Sequence, residues 1–459
     1  MNYAAITIGP IYDVILDTLN DKNKTKRLKA GSYYFSYFMK KLAGGLKNNF
    51  DFDIIVPFNK INDDDIKEDD IKEMGIYHDR LIACSNEDIE TMKKKFESAY
   101  DEAFEKIAEE FELDAEKLKK DMSNHYFFAG EEELKEVNEN IIFAINEVLD
   151  SLEQNRIMSF DRRFDEIKNF QQSVVEGKKE EFRKVKSLED IAGDFKYYAV
   201  LYADGDSMGK KIKEIAKENA TNITELSEKL YKFFTEDNLA NKIKSFGGEL
   251  IFAGGDDILA FLPLISGNKT IFELIEEIHQ NFKNKVGEDV SMSFGVSVVY
   301  VKYPLKKAIE DAQNFLNEAK DFRKRKNTNQ GAVAIQVMKH SGHYFKSFHI
   351  INSDEYEKFK GFIEKALKKE EKIPKGFQYK LDLYKDVIIS KYGNKNENKI
   401  SIVPFFENIF NELSKDELKE IKNIGEYFDM YKPQSEDDFN KLISDFHIVK
   451  FIRDRNETA

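Results

Sequence analysis

The sequence contains a single cysteine, Cys84. One cysteine forms neither an intrachain disulfide framework nor a zinc site built from several thiolates of the same chain. Long apolar runs are also missing, and the amino-terminal stretch MNYAAITIGP lacks the layout of a signal peptide. These absences argue against a disulfide-rich secreted protein and against a membrane-spanning one, so we expect a cytoplasmic protein that contacts no membrane.

Acidic residues outnumber basic ones, which gives the 459-residue chain a formal net charge of −14. This balance argues against a free-standing nucleic-acid binder that is held mainly by phosphate contacts. Contact with nucleic acid through a local basic strip, or through partner subunits, stays open. The chain is 41% hydrophobic and 34% charged, as in a soluble protein with a real core, and its length predicts two to four domains.

Composition divides the chain into four predicted domains of an α+β protein. Residues 1–85 alternate strand and helix signals, whereas residues 86–194 are rich in Glu and Lys, contain no proline and repeat apolar residues at helical spacing. We interpret residues 86–194 as a helical insertion. Residues 195–345 follow the order β-α-β-β-α-β of a ferredoxin-like domain. Amphipathic helices dominate residues 346–459, which form a predicted C-terminal helical domain.

The stretch FAGGDDILAFLPL carries more polar residues than a hairpin reversal needs. Gly254, Gly255, Asp256 and Asp257 stand between two apolar strand patterns. A turn explains one glycine and one aspartate. The second carboxylate beside a buried strand requires another explanation.

A third carboxylate is expected close to this hairpin. Asp204 ends the strand pattern YYAVLYAD, and in a β-α-β-β-α-β domain that strand lies beside the hairpin. Carboxylates that converge in this way suit Mg²⁺ or Mn²⁺, which also bind phosphate oxygens. We therefore predict Asp204, Asp256 and Asp257 as metal ligands and catalytic residues. A plain polar hairpin tip and an ordinary helix cap are the alternatives.

The surrounding residues are suited to bind a nucleotide. Gly254 and Gly255 leave space for its close approach. The loop after Asp204 leads into a helix start, where free backbone N–H groups favour phosphate. Its candidate nucleotide-binding residues are Gly205, Asp206 and Ser207, and the cations that could reach the same phosphates are Lys210, Lys211, Lys320, Arg323 and Lys324. The basic end of the last helix is also compatible with a solvated surface.

These motifs resemble the palm domain shared by GGDEF-type cyclases and the large subunit of type III CRISPR effector complexes. ADGDSMGK, FAGGDDILAFLPL, SMSFGVSVVY and PLKKAIEDAQNFLNEAKDFRKRK follow the order of that family. Asp257 and Ile258 replace the Glu and Phe of a cyclase GGDEF, which favours the CRISPR branch. AITIGPIYDVI, RLKAGSYYFSYFM and MKHSGHYF resemble the Cmr (III-B) type. The likeness covers two palm domains, residues 1–85 and 195–345.

The resemblance implies an RNA-activated nucleotidyltransferase. Two Mg²⁺ ions would align the 3′-hydroxyl of one ATP with the α-phosphate of another, and pyrophosphate would leave. Products in the family are cyclic oligoadenylates, and some relatives join AMP to S-adenosylmethionine instead. The implied partners are the other subunits of a III-B complex, with guide RNA and target RNA bound through it. Ser32 is a candidate nucleotide contact between the palms, although a helix-packing role is equally compatible.

Two departures from the family pattern shape the remaining expectations. The first palm begins at Met1, so we expect the HD-type nuclease domain of many relatives to be absent, and we interpret His78 and Asp79 as structural. The zinc site of many Cmr-type relatives cannot be built with Cys84 alone. Two other functions compete with the RNA-activated enzyme. One is a free-standing GGDEF-like dinucleotide cyclase, and the other is a non-catalytic scaffold subunit.

Overall fold

The structure is a computed structural model that describes most of the chain. The described residues are 1–8, 23–57, 79–121, 126–138, 140–157, 165–177, 182–218, 222–235, 239–370, 372–374, 376–394 and 400–456. His78 lies outside them. Two compact units divide the chain: Met1–Ile191, Ala203–Leu262 and Ile278–Ser291 form unit 1, and Ala192–Tyr202, Pro263–Glu277 and Met292–Ala459 form unit 2.

The first sheet has four antiparallel strands in the order β2-β3-β1-β4. Two helices, α1 and α2, connect its strands. In chain order the elements are β1 (Asn2–Thr7), α1 (Lys24–Phe50), β2 (Asp53–Val56), β3 (Arg80–Ser85), α2 (Ile89–Phe111) and β4 (Tyr126–Gly130). This β-α-β-β-α-β order with that strand arrangement is ferredoxin-like, so the first palm predicted from the sequence has the expected fold.

One strand of this sheet lies outside the predicted boundary. The segment 86–194, which we interpreted as wholly helical, contributes the edge strand β4. Its register pairs Ala4 with Phe128 and Ala5 with Phe127. Besides α2, the other α-helices of the described part of this segment, as expected, are α3 (Ala115–Asp121), α4 (Glu131–Val137), α5 (Ile141–Ile157), α6 (Asp165–Val175) and α7 (Leu188–Ala192). The helical interpretation of residues 126–130 was therefore wrong.

The helices of the first palm form where the sequence supplies caps and apolar faces. Asp88 caps α2 by accepting a hydrogen bond from the Thr91 backbone N–H at 3.0 Å. Buried aromatic and aliphatic residues recur at helical spacing along α2, and several of them pack on α1. Phe38 of α1 packs against Phe104 with tilted rings, at 4.7 Å between ring centroids. These contacts bury the inner faces of both helices.

The second sheet has six strands in the order β12-β11-β10-β5-β7-β6. Its first four strands in sequence, β5, β6, β7 and β10, repeat the ferredoxin-like order, and β11 and β12 extend the sheet. The strands are β5 (Tyr197–Asp206), β6 (Glu249–Gly254), β7 (Asp257–Leu262), β10 (Ser291–Tyr300), β11 (Ala332–Met338) and β12 (Tyr344–Ile350), and a small ribbon holds β8 (Ile265–Ser266) and β9 (Lys269–Thr270). The predicted second palm is thus present, and β12 is a strand that the sequence interpretation missed.

Strands β5 and β10 lie at the centre of the six-stranded sheet, and their burial fits this position. All but one residue of each strand is buried, as is typical of strands covered on both faces. The helices of this region are α8 (Met208–Glu218), α9 (Asn222–Thr235), α10 (Leu239–Ser245), α11 (Ile271–Val286) and α12 (Leu305–Lys326). At Gly295 of β10, a β-carbon would lie 2.0 Å from the Ala312 carbonyl oxygen of α12. Glycine is therefore required for this close approach of helix and strand.

The described elements that follow β12 in unit 2 are helices, in agreement with the predicted C-terminal helical region. Its helices are α13 (Asp354–Leu367), α14 (Phe377–Leu383), α15 (Lys385–Gly393), α16 (Val403–Ile409), α17 (Lys415–Tyr431) and α18 (Glu436–Asn456). Ser414 and Glu417 form a capping box at the start of α17. In the part of the chain that the structure describes, no helix has the length and apolarity needed to cross a membrane.

Candidate active site at the second palm

The hairpin of β6 and β7 is closed by a two-residue loop, Gly255-Asp256. Gly254 and Asp257 are the last pair in its register. Gly255 has a φ of +67°, and Asp256 is not among the residues with positive φ. A positive φ at the first loop position alone is the type II′ pattern, which glycine adopts without strain. The turn therefore accounts for Gly255 and leaves both aspartates half-buried at the end of the hairpin.

This loop packs against the end of β5. A β-carbon built on Gly205 would lie 2.8 Å from Asp256 Oδ2 and 3.0 Å from Asp256 Cβ. A side chain at position 205 would have to displace the Met208 side chain, whose Cγ would be 2.6 Å away, as well as Asp256. The structure thus brings Gly205, near the end of β5, next to the hairpin loop, as the ferredoxin-like order predicts.

The two aspartates that flank Gly205 differ in exposure. Asp204 is half-buried. Asp206 is only 2% exposed, and its Oδ2 accepts a hydrogen bond from the hydroxyl of Ser291, which is fully buried, at 2.6 Å. We predicted Asp206 as a nucleotide-binding residue, but this structure places its carboxylate against β10. Sequence spacing did not identify Ser291 as the partner of Asp206. In the sequence, Ser291 is one polar residue in an otherwise apolar strand pattern.

A single residue separates β5 from α8. Ser207 is exposed, with φ at +63°, and its carbonyl oxygen accepts hydrogen bonds from the backbone N–H groups of Lys210 and Lys211. The helix therefore starts immediately beyond the acidic strand end, as predicted for a phosphate-binding turn. The Lys210 side chain is exposed, whereas Lys211 donates to Asp289 Oδ2 at 2.5 Å.

Asp289 is a second residue that sequence reasoning missed. The hydrogen bond from Lys211 is the main cause that lowers the pKa of the Asp289 carboxyl below its usual value. Its other oxygen lies near Gly287, where a β-carbon would be 2.7 Å from Asp289 Oδ1. Gly287 has a φ of +150°, and its missing side chain leaves space for the Asp289 carboxylate beside the backbone.

The predicted metal ligands lie near the end of β5 and at the start of its neighbour β7. Among the residues that the structure describes, however, no three His, Cys, Asp or Glu side chains form a metal-binding group. Mg²⁺ is commonly held by one or two protein carboxylates and completes its shell with phosphate oxygens and water. The half-buried carboxylates of Asp204, Asp256 and Asp257 provide the hard oxygen donors that such an ion prefers. These residues fit the ion in chemistry, and their assignment as ligands stays a prediction.

The basic candidates on α12 belong to unit 2. Lys320 is half-buried. The Arg323 Nε atom donates to the Gln330 carbonyl oxygen at 2.9 Å, and Lys324 pairs with Asp321 at 3.3 Å. Arg323 and Lys324 therefore have partners near the end of their own helix. A phosphate contact for Lys320 stays a prediction.

Ser32 lies on α1 in unit 1. Its side chain is 3% exposed, and within the described structure its hydroxyl has no hydrogen-bond partner. One turn earlier, Lys29 forms a buried ion pair with Glu249 of β6 at 2.9 Å. Glu249 also accepts from the Lys186 backbone N–H at 3.0 Å. This pair joins α1 to the strand that carries the hairpin, and no local sequence signal indicated it.

A family comparison covers this site. Residues 197–329 match the family model described as Cas10/Cmr2, second palm domain. The match includes Asp204, Gly205 and the hairpin loop, and it confirms the resemblance to the large Cas10-type subunits of type III CRISPR effectors.

Relatives and solved structures extend this comparison. The Cmr subunit Cmr2 of Pyrococcus furiosus is 32% identical over 184 residues, which cover 35% of this chain and 21% of the relative. The chain therefore aligns with about a fifth of that protein. Csm1 of T. onnurineus, and a Csm1–Csm4 cassette in complex with cA4, each match 98% of this chain and 69% of their own chain with a TM-score of 0.53. At 13% identity these structures show a shared fold.

Proposed function

We propose that this chain is the nucleotidyltransferase subunit of a type III-B CRISPR effector complex, activated by target RNA and using ATP. The observation that carries this proposal is the packing of the Asp256 side chain on Gly205, next to Asp204. It puts acidic residues of two neighbouring strand ends beside a helix start. The Cas10/Cmr2 match over the same residues supports it.

In the proposed reaction, the 3′-hydroxyl oxygen of one ATP attacks the α-phosphorus of a second ATP. A new phosphodiester bond forms, and the bond to pyrophosphate breaks. Asp204, Asp256 and Asp257 would hold Mg²⁺ or Mn²⁺, which supplies charge neutralisation for the phosphates and lowers the pKa of the attacking hydroxyl. Catalysis by the chain then consists of holding the two substrates in line.

The chain's own residues shape the nucleotide site around these acids. Gly254 and Gly255 present backbone without side chains at the end of the hairpin. Ser207 and the first turn of α8 offer backbone N–H groups, and the exposed Lys210 adds a positive charge. A triphosphate at this helix start would be next to the carboxylates.

Solved relatives support a nucleotide substrate and a subunit partner. Csm1–Csm4 cassettes, similar to this chain at TM-scores of 0.53 and 0.51, were solved in complex with cA4 and with one ATP. By analogy we propose cyclic oligoadenylate as the product, with AMP joined to S-adenosylmethionine as the alternative. We also propose that the chain assembles with further subunits, which hold guide RNA and target RNA.

The test is a reconstituted complex supplied with ATP, Mg²⁺ and target RNA, with and without S-adenosylmethionine, followed by mass spectrometry of the products. We expect an adenylate oligomer or an adenylated S-adenosylmethionine, formed only when target RNA is present. The scaffold alternative predicts no nucleotide product. A free-standing cyclase predicts a dinucleotide that forms without target RNA.

A further inference from the structure

Two contacts connect the same two segments of unit 1 on either side of Ser207. One joins Asp206, at the end of β5, to Ser291 at the start of β10, at 2.6 Å. The other joins Lys211, in the first turn of α8, to Asp289 at 2.5 Å. Residues 206–211 are thus attached at both ends to the segment 289–291, which lies far away in the sequence.

The inner contact is fully enclosed. Asp206 is 2% exposed, and Ser291 is completely buried. A buried carboxylate keeps its charge at acceptable cost only when hydrogen-bond donors surround it. Removing the Ser291 hydroxyl therefore takes away a hydrogen-bond donor of the Asp206 carboxylate. We expect the end of β5 to shift as a result.

A movement of the strand end would reach the proposed active site directly. Gly205 lies between Asp206 and Asp204, and the Asp256 side chain packs on Gly205. A shift of residue 205 would therefore move its chain neighbour Asp204 relative to Asp256. An error of about 1 Å in such a separation is enough to lower a rate by about a hundredfold.

We infer that Asp206 and Ser291 are positioning residues for the acidic site, and that Lys211 and Asp289 provide the outer support of the same strand end. This inference rests on the proposed nucleotidyl transfer. It replaces the expectation that Asp206 contacts the nucleotide. Asp206 acts through Gly205 on the separation of Asp204 and Asp256.

The experiment compares Ser291→Ala with Ser293→Ala. Ser293 lies two residues further along β10, is also fully buried, and its hydroxyl oxygen accepts a hydrogen bond from the Ala332 backbone N–H at 3.1 Å. Both variants remove one buried hydroxyl from the same strand. They differ in the partner of that hydroxyl, because Ser291 donates to Asp206 at the end of the strand that carries Asp204.

Two properties are measured. In the full chain, the affinity for Mn²⁺ with ATP is determined by titration calorimetry. In the reconstituted complex with target RNA, kcat and KM for ATP are determined from pyrophosphate release. We expect Ser291→Ala to weaken the binding of Mn²⁺ with ATP and to lower kcat by about ten- to a hundredfold, whereas Ser293→Ala stays within about twofold of wild type at a similar loss of melting temperature.

A double-mutant cycle completes the test. Asp206→Ala and Ser291→Ala should each lower kcat, and the kcat of the double variant should be little lower than that of either single variant, because the effects of contacting residues are not additive.

If Ser291→Ala and Ser293→Ala have the same kcat and the same affinity for Mn²⁺ with ATP, the inference is wrong while the proposed function stands. If wild type forms no product but binds Mn²⁺ with ATP, and only Ser291→Ala weakens that binding, the inference stands and the proposed function fails. If wild type neither forms product nor binds Mn²⁺ with ATP, both are overturned.

Discussion

Asp256 lies over Gly205 so closely that a β-carbon on residue 205 would be 2.8 Å from its carboxylate oxygen. This contact joins the hairpin loop to the end of the neighbouring strand. It also explains why the motif ADGDSMGK has glycine between its two aspartates. A methyl group at this position must push aside the side chain that we propose as the principal metal ligand.

Gly205→Ala should therefore inactivate the enzyme with only a moderate loss of stability. Overpacking of a buried position costs about 1–3 kcal/mol, and the displaced Asp256 should lower kcat at least tenfold. Gly361→Ala, in the middle of α13, is the matched control, because a β-carbon there meets nothing within 4 Å. In the helix, this second substitution should stabilise the protein by about 0.5–1 kcal/mol. Equal activity of the two variants would contradict the proposed contact.

Breaking the buried ion pair of Lys29 and Glu249 should destabilise the protein. Both side chains are 6% exposed or less, so Glu249→Gln removes the negative charge that faces a buried ammonium group inside unit 1. We expect a loss of about 3–5 kcal/mol in the free energy of unfolding. The double variant Lys29→Met with Glu249→Leu should lose less free energy of unfolding than a variant that removes only one of the two charges. In the double variant, neither charge of the pair is left without the other.

Chemical denaturation of the full chain measures this effect. The control is Glu225→Gln on α9, whose partner Lys229 is one turn away at the surface. Such exposed pairs contribute about 0.3–0.5 kcal/mol. A loss at Glu249 as small as the loss at Glu225 would mean that water reaches the Lys29 pair.

Stability should also depend on pH through His447. Burial on α18, together with Lys339 and Lys450, lowers the pKa of His447 from 6.5 to about 4. The unfolded chain therefore takes up a proton between about pH 6.5 and pH 4 while the folded chain does not, so stability falls as the pH falls through this window. Above pH 6.5 both states are neutral at this residue, and the effect vanishes.

His447→Phe should reduce that pH dependence. The imidazole stacks on Phe345 at 4.5 Å between ring centroids, and an aromatic replacement keeps this contact. The measurement is the melting temperature of wild type and variant at pH 7.5 and at pH 5. The difference between the two pH values should be smaller in the variant. An unchanged difference would show that other groups cause it.

The sequence predicted the arrangement of strands better than the contacts between side chains. The hairpin of β6 and β7 and its neighbour β5 follow from alternation, glycine placement and the order of elements. The strand β4 was missed because YFFAG is five residues long and stands in a segment whose charge pattern is helical. The strand β12 was missed because its pairing partner, and not its own pattern, defines it.

The separate environments of Asp204 and Asp206 were not predictable either. Both belong to one short motif, yet one is half-buried and the other is enclosed by Ser291. Which aspartate is enclosed depends on a residue 85 positions away in the sequence. The same holds for Lys29 and Glu249, which are 220 positions apart. Spacing within a motif carries no information about such partners.

The two hairpin aspartates should differ in their effects. Asp256 packs on the end of β5, whereas Asp257 begins β7 opposite Gly254. Asp256→Ala should therefore lower kcat more than Asp257→Ala does, and by at least a hundredfold, the usual cost of losing one group that stabilises transition-state charge. Similar losses for both variants would indicate that the two carboxylates act together.

The central claim, that the acidic site at Asp256 performs nucleotidyl transfer, is tested most directly by pyrophosphate release from ATP in the target-RNA-bound complex. Wild type and Asp256→Ala are compared under identical conditions, with the exposed Asp101→Ala of α2 as a control for loss of a carboxylate. We predict release by wild type and Asp101→Ala, and a loss of at least about a hundredfold in Asp256→Ala. Release by Asp256→Ala at the wild-type rate would contradict the account.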